Sequence, residues 1–520
     1  MAGTSAAVNV DRKDPRFDTL KKGHNLRFPA TEAEAVSRIL LCSNADEAAE
    51  ALQRVISAGL RPTVRSGGHC YEDFVSNNPN GAILDLSLHK AVERTADGGF
   101  YVACGAVLGD VYQELYKRGG VTLPAGTCYM VGAGGHISGG GYGLLSRMHG
   151  LTVDWISAVD ILTVNQSGTV VPIRATRETH PELLRACRGA GNGNFGLITG
   201  FHFAELPAAP REVAEVSLHF PWAEMTEQKL TKLLQVFGNW CAGRGQEKET
   251  WGLFADVVIG PRSAKGEGYL GMHVQYCTLA GDTSDLQVLH EFLGQFREFV
   301  PTVILPAKLP SGNSSTTSGQ QDIAAEKAAH FYEVSKLPWL DATLADGGSG
   351  GGTRAKYKSA YMKETFTAAE CKALWTYMTT ESMDAHGSVL AIDSYGGAIN
   401  KAGRASETAM AQRASVMKLQ WQSYWREKDQ DAGRLRFLDE FYTAVYTGEH
   451  VEAGHQGTPW GPGYEGCYMN YPDVDMLRYG YWPQLYFGRG ELYPFLQGVK
   501  SKYDPNNIFH NAMSVRPVRA

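Results

Sequence analysis

The sequence contains no apolar stretch long enough to span a bilayer, and its first twenty residues lack the apolar core of a signal peptide. It also lacks a block of basic residues. The formal net charge is -6, which excludes the electrostatic footprint of a nucleic-acid-binding protein. We therefore expect a protein that acts without nucleic acid or membrane, and a cytoplasmic location.

Cysteine pairs of the CxxC type are also missing. The nine cysteines are an odd number and are scattered along the chain, so the sequence predicts neither a disulfide framework nor a zinc ribbon, and it suggests no metal site. What is present is ordinary globular composition, with 43% hydrophobic and 20% charged residues. Composition therefore excludes several classes of protein, and the chemistry has to be found in local motifs.

The first half of the chain predicts an α+β domain. VSRILLCS indicates a strand, DEAAEALQRVISAGL a helix that Ser43 can cap, and RPTVRSGG a second strand. A strand, a helix and a strand within about thirty residues form a βαβ unit, so the sheet is expected to be locally parallel. Further strands are predicted at GAILDLS, WISAVDILTV, GTVVPIRA and NFGLITGFHFAEL.

The pattern changes after LPAAPREV, residues 206–213. Long strands such as VAEVSLHF and YLGMHVQYCTL then alternate with helices such as TEQKLTKLLQVFGNWCAG, and aromatic residues are frequent. Two Gly/Ser-rich segments, 311–319 and 346–353, predict loops near a rim or lid. The change predicts a second domain in which a sheet is covered by helices.

One glycine motif matches a dinucleotide-binding pattern but lies in the wrong structural context for it. GNGNFG, residues 191–196, matches GxGxxG, which binds a dinucleotide only where it follows a strand and opens a helix. LITGFHF follows instead, and it alternates like a strand. We predict a tight turn before a strand rather than a Rossmann site, and a phosphate-contacting turn of another kind stays open.

Two other glycine-rich segments carry candidate chemistry. RSGGH comprises Arg65, Ser66, Gly67, Gly68 and His69, and its bare backbone allows close approach of a ligand, although a simple β-turn with a hydrogen-bonded histidine explains it as well. PAGTCYMVGAGGHISGGGYG, residues 124–143, leaves backbone exposed over almost its whole length, a feature that suggests ordering by an extended ligand.

Cys128 stands near the start of the second segment. Taken alone, it is a small buried hydrophobic residue, the usual role of an unpaired cysteine. Together the two segments are much more specific than either one. They are followed in order by GNFGLITGFHF, RAKYKSAYMKETF, SYGGAIN, GCYMNYPDVDM and KYDPNNIFHNAMSV.

This series resembles the berberine-bridge-enzyme-like branch of the vanillyl-alcohol-oxidase flavoproteins over nearly the whole chain. The resemblance implies an α+β, two-domain PCMH-type FAD-binding fold with a substrate domain of antiparallel sheet and helices. It implies an FAD-binding domain over 30–208, a substrate domain over 209–454, and a C-terminal segment over 455–520 that returns to the FAD domain.

The resemblance further implies that FAD is attached by two covalent bonds, from His69 to the C8 methyl group and from the Cys128 sulfur to C6. The glycines of both segments would contact the pyrophosphate and the ring. The remaining candidate cofactor-binding residues come from the second segment, the GNGNFG turn and the CYMNYPD block: Val131, Gly132, Gly135, His136, Gly139, Gly143, Gly196, Ile198 and Asn470.

The resemblance also implies oxidation of a hydroxyl group by hydride transfer to flavin N5, which requires a base for the hydroxyl proton. In alcohol-oxidising relatives a tyrosine in the block that resembles CYMNYPD serves as that base, and it maps to Tyr468; a second tyrosine maps to Tyr395 in SYGG. Without the resemblance, each is simply a half-buried aromatic residue. Enzymes of the berberine-bridge type use a glutamate base, and the sequence offers no confident match beyond the nearby Glu465.

The residue three places after the cysteine controls oxygen access in this family, and here it is Val131, a small residue that implies an oxidase releasing hydrogen peroxide. We expect the substrate to be a small molecule, a sugar or glycosylated metabolite, with O2 as second substrate. The alternatives are an oxidative cyclase acting on an alkaloid or polyketide, a non-catalytic flavin-binding protein, and an NAD enzyme.

Overall fold

The computed structural model describes residues 6–262, 268–299, 302–303, 331–345, 352–401 and 404–518. The predicted loop at 311–319 lies outside these ranges, as does most of the one at 346–353. Strands and helices mix throughout, as an α+β fold requires, and the strands form three sheets in the described ranges. None of the described helices combines the length and the apolarity that crossing a bilayer demands.

The first sheet has the order β1-β2-β4-β3, formed by Val8–Asp11 (β1), Arg38–Leu41 (β2), Pro62–Arg65 (β3) and Ala82–Asp85 (β4). Strands β2, β3 and β4 are parallel, which confirms the βαβ prediction, although β4 lies between the two strands of the unit. The helix Ala45–Ser57 (α1) joins β2 to β3.

The predicted cap of helix α1 is wrong by one residue. Asn44, not Ser43, is the N-cap, and its side chain accepts a hydrogen bond from the Glu47 amide. Ser43 instead donates to the Glu47 carboxylate through both its amide and its hydroxyl. Strand β3 ends at Arg65, so the RSGGH segment leaves the sheet at the carboxyl end of a parallel strand, where ligand sites of such sheets commonly form.

The second sheet has the order β5-β6-β9-β7-β8 and is antiparallel. Its strands are Val92–Arg94 (β5), Phe100–Ala103 (β6), Ala158–Val164 (β7), Val170–Ala175 (β8) and Leu197–Phe203 (β9). Strand β9 follows GNGNFG directly, which confirms the prediction of a turn before a strand. The helical context that a Rossmann site needs is therefore absent at this described turn.

The third sheet has eight strands. They are Glu212–His219 (β10), Leu253–Ile259 (β11), Leu270–Tyr276 (β12), Thr302–Val303 (β13), Ser335–Pro338 (β14), Arg354–Met362 (β15), Ser388–Ser394 (β16) and Met417–Trp425 (β17). The order is β13-β10-β12-β11-β16-β17-β15, with β14 also paired to β10, and all pairs are antiparallel. Burial alternates along β17 because one face packs on helices and the other faces a cavity.

Helices connect and cover the sheets. Besides Ala45–Ser57, the described α-helices are Phe17–Leu20, Leu108–Gly119, Ala133–Ser138, Ser146–His149, Pro181–Ala190, Glu227–Ala242, Gln287–Gly294, Trp339–Ala345, Ala368–Met378, Arg404–Glu407, Asp431–Val445, Trp482–Phe487 and Leu492–Tyr503. Trp421 of β17 packs edge-on against Tyr442 and Tyr446 at the end of Asp431–Val445, which anchors the third sheet to its helical layer.

A buried ion cluster joins the RSGGH region to the third sheet. Lys356 on β15 is 1% exposed, and its Nζ lies 2.5 Å from Glu72 and 2.7 Å from Asp473. Lys358, two residues on, also binds Asp473 at 2.7 Å and Asp475 at 2.7 Å. Buried charges are stable only when they are paired, so this cluster holds three distant chain segments in register.

Candidate active site

A cavity of about 990 Å³ lies between the glycine-rich segments and the open face of the third sheet. Its size is at the upper end of the range for small-molecule and cofactor sites. The wall is built from the loop after β3, the segment around 126–136, the turn at 191–196, the segment 469–472, the tail at 509–513, and side chains of strands β11, β12, β15, β16 and β17.

The two glycine-rich segments pack backbone against backbone. A Cβ atom at Gly67 would lie 2.9 Å from the Cα atom of Gly132, and one at Gly132 would overlap with the Ser66 hydroxyl. That hydroxyl donates to the carbonyl oxygen of Cys104 at 2.5 Å. Only glycine permits this approach, so the segments meet because both lack side chains at the crossing.

Gly135 differs from the packed glycines. It is exposed and lines the cavity, and a Cβ atom there would meet no protein atom within 4 Å. It lies within the short helix Ala133–Ser138, so its backbone needs no special conformation. The open space beside Gly135 is therefore part of the cavity. A flat ligand that lies close to the backbone would fill it.

His69 lines the cavity and stacks on His24, with ring centroids 4.4 Å apart and ring planes inclined by 21°. The amide of His24 donates to the carbonyl of Gly68 at 2.8 Å, which ties the N-terminal segment to this loop. Burial, and secondarily the His24 ring, lower the pKa of His69 to about 4. His69 is therefore a neutral imidazole at physiological pH, the form that can act as a nucleophile.

Cys128 is half-buried and lines the same cavity. It lies close enough to a group of tyrosines that a charge on its sulfur contributes to raising the pKa of their phenols. The group is Tyr71, Tyr357, Tyr424 and Tyr471. Tyr71 and Tyr357 stack with centroids 3.5 Å apart, so an aromatic wall stands beside the sulfur.

Most of the predicted cofactor-binding residues meet at this cavity. Those that line it are Arg65, Ser66, Gly67, Gly68, His69, Cys128, Val131, Gly132, Gly135, His136, Gly143, Gly196, Ile198 and Asn470. Gly139 does not line it, because Gly139 packs against Asn470 instead. The Arg65 guanidinium is bound at 2.6 Å by Asp85, so its charge is already paired within the first sheet.

Asn470 links the second glycine segment to the CYMNYPD block. Its amide nitrogen donates to the His136 carbonyl at 2.9 Å and to the Tyr468 hydroxyl at 3.0 Å, and its oxygen accepts from Asn192 at 2.9 Å. The His136 ring nitrogen accepts from the Gly126 amide at 3.0 Å, and burial lowers the pKa of His136 to about 4. Through these contacts, Asn470 holds the Tyr468 hydroxyl and the Asn192 side chain in place, and His136 holds the Gly126 amide.

The two predicted catalytic tyrosines do not line the cavity. Tyr468 is 2% exposed, and its hydroxyl accepts from Asn470 and from the Gly141 amide at 3.2 Å. Tyr395 is fully buried and donates to the Gln412 carbonyl at 3.1 Å. Burial raises the pKa of both phenols. Glu465 also lies off the cavity wall, where it accepts from the Ala414 amide and the Ser415 hydroxyl.

A different tyrosine of the CYMNYPD block faces the cavity. Tyr471 lines it, and its ring packs edge-on against Tyr468 at 4.9 Å. Lys418 on β17 donates to the Tyr471 hydroxyl at 3.3 Å and binds Asp393 on β16 at 2.6 Å. Tyr142 also lines the cavity, but its hydroxyl donates to the Ser394 carbonyl at 2.6 Å. The sequence analysis named Tyr468 in this block, whereas the side chain of the block that lines the cavity is Tyr471.

Lys418 and Asp393 belong to a row that runs across the third sheet. Strand register pairs His273 with Asp256, Asp256 with Asp393, and Asp393 with Lys418. All four line the cavity. His273 Nδ1 lies 3.6 Å from the Asp256 carboxylate. Burial raises the pKa of Asp393 despite the Lys418 charge, and burial together with the Asp393 charge raises the pKa of Tyr471 well above 10.

Comparisons with known proteins show what this chain is similar to. Residues 36–174 match the FAD binding domain family, and residues 467–516 match the family described as berberine and berberine like. Hexose oxidase of Chondrus crispus is 33% identical over 98% of this chain and 95% of its own length. Aclacinomycin-N/aclacinomycin-A oxidase of Streptomyces galilaeus is 32% identical over 99% of this chain and 90% of its own length.

Among solved structures, a glycopeptide hexose oxidase crystallised with teicoplanin superimposes with a TM-score of 0.83. It is 31% identical, and the match covers 99% of each chain. The predicted α+β, two-domain architecture is therefore shared with flavin-dependent oxidases along nearly the full chain.

Proposed function

Because the chain belongs to the berberine-bridge-enzyme-like FAD-linked oxidoreductases, we propose that it oxidises a hydroxyl group of a sugar or glycosylated metabolite and uses O2 as the electron acceptor, with release of hydrogen peroxide. The relatives named above as hexose, glycopeptide hexose and aclacinomycin oxidases support this substrate class. The observation that carries the proposal is one cavity lined by a neutral imidazole, a cysteine sulfur and a tyrosine bound to a lysine.

His69 and Cys128 would hold FAD through two covalent bonds. Both side chains line the cavity, and the glycine segments between them and the open space beside Gly135 fit a flat ring with an extended phosphate tail. The neutral state of His69 supports its role as nucleophile. When bound, FAD supplies the two-electron acceptor for the carbon-bound hydrogen of the substrate.

The hydroxyl proton needs an acceptor from the chain. Tyr471 is the best candidate, because it lines the cavity and its hydroxyl already accepts a hydrogen bond from a cationic side chain. A positioned base of this kind typically contributes about 10²–10⁴-fold to the rate. The assignment of the base to Tyr468, with Tyr395 in support, stays a prediction, and the same experiment tests it.

Oxygen access is proposed at Val131. Its half-buried side chain lines the cavity three residues beyond Cys128, and its amide donates to the Cys128 carbonyl at 3.1 Å. The carbonyl of Val131 accepts from the Leu108 amide at 3.0 Å, so the backbone is held on both sides. A small side chain that is fixed in this way leaves room for O2 beside the sulfur-bearing loop.

The domain division stays as proposed from the sequence, with FAD held by 30–208 and 455–520 and substrate bound by 209–454. Two contacts support it. Lys500 donates to the Asn194 carbonyl at 2.6 Å, and the Val515 amide donates to the Asn194 side chain at 2.9 Å, so the tail joins the GNGNFG turn. The open face of the third sheet then forms the substrate side of the cavity.

An oxidative cyclase with a glutamate base has less support. Within the described residues no glutamate lines the cavity, and Glu465 is engaged by backbone amides and a serine hydroxyl outside it. The cavity carboxylates are Asp256 and Asp393 instead.

The test combines the cofactor with turnover. The purified protein should keep its yellow colour in acid-precipitated pellets, as should His69→Ala and Cys128→Ala singly, whereas the double variant should release its pigment. Peroxide release on a panel of free sugars and glycosides should identify a substrate. On that substrate, Tyr471→Phe should lower kcat/KM by about 10²–10⁴-fold.

Tyr468→Phe and Tyr142→Phe are matched controls, since each removes one hydroxyl from a ring that lies near Lys418. If Tyr468→Phe abolished turnover while Tyr471→Phe did not, Tyr468 would be the base and our assignment would be wrong. A protein that bound FAD but released no peroxide with any alcohol would contradict the oxidase proposal itself.

A further inference from the structure

The imidazole of His69 is held by a ring contact rather than by hydrogen bonds. Among the residues that the structure describes, none forms a hydrogen bond with a His69 ring nitrogen, whereas the His136 ring in the second glycine segment is fixed by the Gly126 amide. The His69 ring lies instead against the ring of His24, with centroids 4.4 Å apart and planes inclined by 21°. The orientation of the proposed nucleophile therefore depends on His24.

The N-terminal segment that carries His24 is bound to the RSGGH loop on both sides of His69. The amide of His24 donates to the Gly68 carbonyl at 2.8 Å. The next residue, Asn25, is buried, and its side-chain nitrogen donates to the Tyr71 carbonyl at 2.8 Å. These contacts lie one residue before His69 and two residues after it, so they keep His24 in place relative to His69.

The same segment is bound to the third sheet. The carbonyl of His24 accepts from the Thr353 amide at 3.1 Å, next to the start of β15. The Asn25 side chain donates to the Ala355 carbonyl at 3.0 Å and accepts from the Ala355 amide at 3.2 Å. The backbone of His24 is therefore fixed from two directions, which makes its ring a rigid support.

The stacked geometry excludes direct proton transfer between the two histidines. Imidazole nitrogens donate and accept in the plane of the ring, so two rings that lie nearly parallel do not hydrogen-bond to each other. Burial lowers the pKa of both histidines, that of His69 to about 4. Both rings are therefore neutral at physiological pH, and no repulsion between like charges opposes the stack.

We propose that His24 is a positioning residue for the covalent attachment of FAD: its ring fixes the plane of the His69 imidazole while the bond to the C8 methyl carbon forms. This inference rests on the proposed function, because it concerns the tether that His69 would provide. Orientation of the reacting groups is a large part of what a protein contributes to a bond-forming step. His24 itself forms and breaks no bond.

The attachment step balances with the electron acceptor already proposed. One N–H bond of the His69 imidazole and one C–H bond of the C8 methyl group break, and one N–C bond forms. The two protons and the electron pair pass to O2, which leaves as hydrogen peroxide.

The test follows covalent attachment rather than turnover. Full-length protein, produced free of flavin under riboflavin limitation, is mixed with FAD, and covalent flavin is measured over time in acid-precipitated samples. In the Cys128→Ala background His69 is the remaining tether. There His24→Leu should slow attachment by about threefold to tenfold, because leucine fills the space without a flat ring to stack on. His24→Phe keeps a flat ring and should stay within about twofold of its parent.

A second background makes the result specific. In His69→Ala protein the tether is Cys128, and His24→Leu should leave its rate of attachment unchanged. His219→Ala is the matched control, because it removes a half-buried imidazole outside the cavity, and it should behave as its parent in both backgrounds. If the urea midpoint shows that His24→Leu impairs folding, His24→Asn supplies the same comparison with a polar side chain that has no ring.

The other outcomes decide against the proposal. Equal slowing of both tethers by His24→Leu would indicate a general loosening of the loop, and equal slowing by His24→Leu and His24→Phe would exclude stacking as the cause. An undiminished rate in His24→Leu would overturn this inference alone. A wild-type protein whose peptide mass spectra contain no flavin on His69 would overturn the proposed histidine tether and this inference together.

Discussion

Two glycines of the same segment should separate cofactor binding from folding. Gly132 is buried, and a Cβ atom there would overlap with the Ser66 hydroxyl and the Gly67 amide. Gly135, three residues on, has no protein atom within 4 Å of the corresponding position. The two substitutions to compare are Gly132→Ala and Gly135→Val, each of which adds a side chain at its position.

The two substitutions should change the free energy of unfolding by different amounts. Gly132→Ala forces backbone apart, because a Cβ atom there would clash with the Gly67 main chain, which cannot turn away as the Ser66 hydroxyl can. Overpacking of this sort costs about 1–3 kcal/mol in the free energy of unfolding. Gly135 lies in a helix, where replacing glycine costs nothing and valine gains a few tenths of a kcal/mol by propensity. Gly135→Val should therefore leave the stability of the flavin-free protein within about 0.5 kcal/mol of the wild type.

The assays are urea unfolding of flavin-free protein, produced under riboflavin limitation, and the flavin-to-protein ratio of protein produced normally. We expect Gly135→Val to fold well but carry much less flavin, because the added methyl groups occupy cavity space. Gly132→Ala should lose stability even without flavin. Full flavin content in a folded Gly135→Val variant would refute our reading of this space as the cofactor's, and an unchanged midpoint for Gly132→Ala would refute the packing argument.

Three further predictions concern the ion cluster, a buried histidine and oxygen. Lys356→Met leaves the buried Glu72 carboxylate without its cation and Asp473 with Lys358 alone, so urea unfolding should show a loss of about 3–5 kcal/mol, against less than about 1 kcal/mol for Glu114→Gln in an exposed pair. Burial lowers the pKa of His149 from 6.5 to about 4, so the unfolded chain binds its proton first as pH falls. The free energy of unfolding should therefore decrease between pH 6.5 and pH 4 by about 1.4 kcal/mol per pH unit from this group, and unfolding curves of His149→Gln should lack that contribution. Val131→Leu should slow flavin reoxidation by O2 in stopped-flow measurements while substrate-driven reduction stays unchanged; equal effects on both steps would contradict a gate for oxygen.

The sequence was sufficient for features that are local in the chain. The βαβ unit, the strand after GNGNFG and the long strands of the third sheet follow from periodicity and turn residues over short windows. The two glycine segments could be assigned to one cofactor, FAD, through their resemblance to a known family, because each carries a distinctive run of residues. Fold class and family could therefore be predicted before any contact was known.

The side chains proposed for catalysis could not be chosen from the sequence, because their position depends on contacts between distant parts of the chain. Tyr468 and Tyr471 are three residues apart in one block, and which of them faces the cavity depends on how that block packs against Gly141 and His136. Lys418 and Asp393 become neighbours only through the register of β16 with β17. A shift of β17 by one residue would turn Lys418 to the helical face while Asp393 stayed on the cavity side, so no local pattern identifies the pair.

The alternation of side chains along β17 also separates the residues that shape the cavity from the residues that stabilise the fold. Lys418, Gln420, Gln422 and Tyr424 all point into the cavity, whereas the residues between them, such as Trp421, pack on the helical layer. Replacements at Gln420, Gln422 or Tyr424 can therefore reshape what the enzyme accepts without disturbing the layer that keeps it folded. A directed-evolution library confined to these alternate positions should yield variants that accept new substrates with little loss of folding stability.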